Sequence, residues 1–110
     1  MPTSNGPDEL QVEKAEALLH LRLRLQEIKE RRWPPWKSGA GQRELQLAVN
    51  MYVDRILLAR LRAILHSPLL TREFDPEAFV DEVLEETKRS TADPDVERLA
   101  GAHREMVVRR

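Results

Sequence analysis

No cysteine occurs among the 110 residues, which excludes disulfides, thiolate zinc sites and cysteine nucleophiles from this chain. Aromatic side chains are scarce, two Trp, one Tyr and two Phe. The four glycines form no phosphate-cradling loop, and no segment with strand periodicity precedes them. The longest apolar stretch, 45–66, is interrupted by Asp54, Arg55, Arg60 and Arg62 and is no candidate for a membrane span. The opening MPTSNGPDEL has no basic segment followed by an apolar one, as a secretory signal would. Cytoplasm is therefore the expected compartment.

What is present is charge, at 34% of residues, with a net charge of −1 that conceals segregation. Between His20 and Arg72 there are eleven basic residues and four acidic ones; between Glu73 and Glu97 there are ten acidic residues against Lys88 and Arg89. Such blocks either face each other inside the fold or meet an external partner of opposite sign. The length suits one domain with a thin core.

Apolar residues recur at helical spacing throughout, which predicts an all-α, four-helix domain at 8–110 after a loose tail at 1–7. Asp8 in a capping position opens the first helix, about 8–32, which Pro34 and Pro35 then stop. The second covers about 42–66 and forms a long antiparallel hairpin with the first. Asp75-Pro76 and Asp93-Pro94 repeat one grammar, an N-cap followed by proline at the first helical position. They predict shorter helices at about 76–89 and 94–108.

The second helix organises the rest. Leu45, Val49, Tyr52, Ile56, Ala59 and Ala63 make one apolar seam, and Leu47, Met51, Asp54, Leu58, Leu61 and Leu65 make another on the far side. The first helix is likewise apolar over more than half its circumference, while the two short helices offer only narrow stripes to cover both. The excess predicts self-association, with Leu19, Leu23, Leu47, Met51 and Leu58 at the interface. Asp54 in the second seam and Arg22 in the apolar arc of the first helix are expected to pair, because an unpaired buried charge is costly.

Three other groupings bear on chemistry. Trp33 and Trp36 lie between the two long helices, bracketed by Arg31, Arg32, Lys37 and Arg43. They either fold back to close the hairpin or form a recognition loop in a basic segment, 22–43, suited to nucleic acid or an acidic protein. Glu16 and His20 stand four apart on a helix, but two ligands do not define a metal site, and no cofactor is expected. Arg60 with His66, and Arg98 with His103, resemble the arginine–histidine spacing of the small helical HEPN ribonucleases. That resemblance would imply proton transfer by the histidine and phosphate binding by the arginine. With Leu61 after Arg60, where a polar residue is usual in that family, and about one such spacing expected by chance, this reading ranks last. No catalytic residue is assigned. The sequence points instead to a non-catalytic interaction module: a small subunit, adaptor or assembly factor that binds itself and another protein. Nucleic-acid binding through 22–43 is the alternative.

Overall fold

The computed structural model describes residues 7–65 and 75–108, which contain four α-helices. They are α1 (Pro7–Glu30), α2 (Gly39–Leu65), α3 (Pro76–Thr91) and α4 (Pro94–Val108), and the described residues contain no strand. The tail at 1–6, the connection holding Leu69 and Leu70, and His66 lie outside them.

Local chemistry sets most of the boundaries. Asp75 accepts from the backbone N–H of Glu77 and Ala78 through one carboxylate oxygen, with Pro76 in the first turn of α3. Asp93 does the same for Asp95 at the start of α4. Helix α3 ends on Ala92, in the left-handed region at φ 49°, whose N–H donates to Lys88 O. This extends α3 two residues beyond the expected end and satisfies one of its free carbonyls.

Helix α2 starts three residues earlier than its sequence suggests. Ser38 is the cap: its Oγ accepts from Gly41 N at 3.0 Å, and its carbonyl accepts from Gln42 N at 2.8 Å. Gly39 and Gly41 therefore lie inside the first turn and do not loosen the chain. Gly41 is glycine for a steric reason, because a Cβ there would overlap Pro35 O and lie 2.6 Å from the Trp36 Cα. The Trp33–Pro34 peptide in this connection is cis.

The helices form two antiparallel hairpins stacked face to face, in a slab only 20 Å thick. The first hairpin pairs α1 with α2, as the bonds from Arg24 and Arg31 to Glu44 and from Arg55 to Glu13 and Glu16 require. The second pairs α3 with α4 through Arg104 on Asp81 and Lys88 on Glu97. Between them lies an aliphatic core of Leu21, Leu25, Ile28, Leu45, Val49, Val53, Ile56, Val83, Val96 and Leu99, with Tyr52 the one aromatic among the described buried residues. Burial, with Glu86 nearby, pushes the Tyr52 phenol above its ordinary pKa.

Polar ties fasten the second hairpin down. Lys29 reaches Asp95 at 3.1 Å, Lys14 pairs with Glu86, Arg60 holds Glu82 and Glu86, and Gln46 donates to Leu99 O. The basic and acidic sequence blocks thus meet, in part, within the fold.

The expected Arg22–Asp54 pair is not formed. Arg22 is exposed and its Nη2 donates to Ser90 O at 3.0 Å, on the α3 side of α1. Asp54 turns toward α4, where its Oδ1 lies 2.8 Å from His103 Nε2, and its side chain is half-exposed. The two residues lie on flanks that meet different helices, and neither is a buried charge needing the other.

Candidate functional site

The second hairpin covers one face of α1–α2 and leaves the other open. On α2 the first apolar seam is buried, with Leu45 and Val49 fully covered. The second is not: Leu47, Met51, Leu58 and Leu65 are all more than half exposed, Met51 at 71%. On α1, Val12, Leu19 and Leu23 are exposed to a similar degree, while Ala17, Leu21, Leu25 and Ile28 are buried. A groove of about 380 Å³ runs between the two helices, with the small side chains of Ala17 and Ala48 in its lining. Leu21, Leu47, Met51 and Tyr52 line its walls, and His20, Arg24, Glu44 and Arg55 stand along its rim. All five residues assigned from sequence to an interface therefore fall on the exposed parts of this hairpin.

The rim is a ladder of charge pairs that locks the hairpin's register. Arg55 donates to Glu13 at 2.7 Å and to Glu16 at 3.2 Å, and its Nη1 lies 3.0 Å from His20 Nδ1. Because a guanidinium can only donate, His20 accepts there through Nδ1. Arg55 thus occupies the space between Glu16 and His20 that a metal would need, and no group of three or more ligating residues occurs among the described residues. Hydrogen bonding from Arg55 holds the Glu13 carboxyl below its usual range, and Arg31 does the same for Glu44.

The Trp connection divides into a structural half and a free half. Arg31 grips Glu44 with two guanidinium bonds and reaches Pro34 O. Trp36 packs against the core with Lys29 and Lys37 over its ring, centroid distances 4.9 and 5.3 Å. Trp33, in contrast, is 81% exposed, and Arg32, Lys37 and Arg43 are exposed too. Arg31 and Trp36 therefore serve the hairpin, Lys37 is exposed while its ammonium lies over Trp36, and Arg32, Trp33 and Arg43 are exposed.

Neither arginine–histidine spacing forms a reactive pair in the described residues. His103 is buried with Nε2 on Asp54, and its Nδ1 has no partner. Arg98 is exposed and bonds to Gln42 and Asp95. Arg60 is held by Glu82 and Glu86, and His66 lies outside the described residues. No described helix is long and apolar enough to cross a membrane. No family model, curated protein or solved structure matches the chain.

The link that sequence reasoning missed is Asp54–His103. Its signal was in the pattern: Asp54 is the one acid in an apolar seam, and His103 the one polar residue in the stripe of α4.

Proposed function

We propose that the chain is a non-catalytic helical interaction module, a subunit, adaptor or assembly factor that binds protein through the open face of the α1–α2 hairpin. The observation that carries this reading is the second seam of α2, where Leu47, Met51 and Leu58 stand more than half exposed beside an apolar groove. Scattered exposed leucines are ordinary, but a stripe interrupted at Asp54 alone and flanked by a charged rim has the composition of a docking surface. Covering the exposed part of these side chains contributes less than the about 1.5–3 kcal/mol of a full burial for each, and the cost of association is set against it. A tagged full-length chain should retain a protein partner from its native host, a second copy included, after nuclease treatment. Met51→Lys with Leu58→Lys should lose that partner while keeping the helical circular dichroism. A partner that survives both substitutions would overturn the assignment of the face.

A second reading has its own observation: Trp33, Arg32, Lys37 and Arg43 are exposed around the connection. A flat aromatic among cations suits stacking on a single-stranded base with phosphates alongside. Affinity for single-stranded oligonucleotide that falls steeply with salt, and is lost in Trp33→Ala, would support it; binding absent at low salt would end it.

A further inference from the structure

The turn between α1 and α2 stands apart from its surroundings in charge and in backbone. Around it, cations are neutralised: Lys29 and Arg98 by Asp95, and Arg31 by Glu44. Arg32, Lys37 and Arg43 are exposed and have no carboxylate partner among the described residues. Arg43 folds back over the first turn of α2, where its Nη1 would lie 3.7 Å from a Cβ on Gly39. That turn contains no acidic residue. Glu30, the only acid between Ile28 and Arg43, accepts from Gln26. Three positive charges therefore remain for an anion outside the chain.

The backbone of the turn has little left to offer water. Pro34 and Pro35 carry no N–H. Pro34 O accepts from Arg31 Nε at 3.1 Å, and Pro35 O accepts from Ser38 N and Oγ at 3.0 and 2.6 Å. Trp36 O accepts from Gln42 Nε2 at 2.8 Å. Unbonded backbone groups are what make an irregular segment costly to take out of water. Here three successive carbonyls are bonded within the chain, directly after a Trp33 that is 81% exposed.

A nucleic-acid strand and a layer of anionic lipid headgroups both present phosphates to such cations, and the aromatic faces decide between them. Single strands are held by several stacked bases along a basic groove. Trp36 is already engaged, packed on the core with Lys29 and Lys37 over its ring. The groove between α1 and α2 has apolar walls, and the arginines on its rim are paired with glutamates. One ring, a few cations and a backbone that tolerates dehydration suit the headgroup layer of a membrane, where tryptophan and basic residues concentrate.

We infer that the α1–α2 turn is a peripheral contact for an anionic lipid surface. The Trp33 ring enters at headgroup depth, and Arg32, Lys37 and Arg43 meet the lipid phosphates and carboxylates. No spanning helix is needed for this. The open face of the hairpin takes no part, so this inference and the interaction module stand or fall separately. A cation close to such a surface contributes about fivefold in affinity, which makes the contact reversible and sensitive to salt.

Vesicle sedimentation of the full chain tests it. The protein should pellet at low salt with phosphatidylserine–phosphatidylcholine vesicles, stay in solution with phosphatidylcholine alone, and be released by added salt. Its Trp emission should move to shorter wavelength on binding. Trp33→Ala should abolish that shift and weaken partitioning. Arg32→Gln, Lys37→Gln and Arg43→Gln combined should weaken it about a hundredfold. All four side chains are exposed, and circular dichroism checks that the helices persist. Undiminished binding by either variant, or equal binding to both kinds of vesicle, would overturn the inference. So would a chain that never pellets with the anionic vesicles. If that chain instead retained a single-stranded oligonucleotide, and lost it in Trp33→Ala, the turn would pass to the nucleic-acid reading.

Discussion

A methyl group on Gly41 would overlap the Pro35 carbonyl oxygen and press on the backbone of Trp36, so α2 and the Trp connection can meet only where a side chain is missing. Gly41→Ala is expected to lower stability by about 1–3 kcal/mol, the usual cost of overpacking, and to change the fluorescence of Trp36 as it is pushed off the core. Urea titration followed by Trp emission checks both. An unchanged midpoint would mean that the connection relaxes freely. At His103 the balance runs the other way. Its Nε2 bonds to a half-exposed Asp54 that water can serve equally well, and its Nδ1 is buried with no partner among the described residues. An unmet buried polar atom costs about 1–3 kcal/mol, whereas a hydrogen bond returns only about 1. His103→Leu is therefore expected to hold or raise the thermal midpoint, and a clear fall would show that the Asp54 bond contributes more than its exposure suggests.

Helix α2 is built as a two-sided element, and its sides differ in energy. Leu45 has no exposed surface, whereas Leu58 is 58% exposed. Leu45→Ala should cost about 2–5 kcal/mol through lost burial and the cavity left behind. Leu58→Ala should change the stability of the monomer by no more than about 0.5 kcal/mol, with its effect appearing in association. Denaturation at two protein concentrations separates these outcomes, since only an interface residue gives a concentration-dependent difference. Equal losses at both sites and at all concentrations would mean that the second seam is covered within the chain.

Across the whole molecule, the hairpins are tied by charge pairs on the surface of a thin slab. Hydrogen bonds from Arg55, Arg31, Arg104 and Lys29 lower the pKa of Glu13, Glu44, Asp81 and Asp95 respectively. A carboxyl whose folded pKa lies below its unfolded value contributes stability that is complete above the unfolded value and is lost as pH falls through the folded one. The thermal midpoint should therefore be level near neutral pH and drop on acidification below about 4, with added salt flattening the drop because the pairs are solvent-exposed. Glu44→Gln should reduce the slope by removing one such carboxyl. A midpoint independent of pH down to the acid limit would show that these pairs contribute nothing net.

The sequence by itself determined the fold class and three of its punctuation marks. Asp75-Pro76, Asp93-Pro94 and Pro34-Pro35 act on the backbone within a turn or two of themselves, so their effect is legible without knowing what packs nearby. It also determined that α1 and α2 carry more apolar surface than α3 and α4 can cover, because that is a matter of counting stripes. The start of α2 escaped it, since Ser38 caps only when the chain folds back far enough to make Gly41 helical. Tertiary structure alone decided which seam of α2 is buried, that Asp54 meets His103 and Arg22 meets Ser90, and that Arg31 and Trp36 serve the hairpin while Trp33 stands free. These depend on how far each helix is rotated about its axis, and that rotation is set by the joint packing of all four.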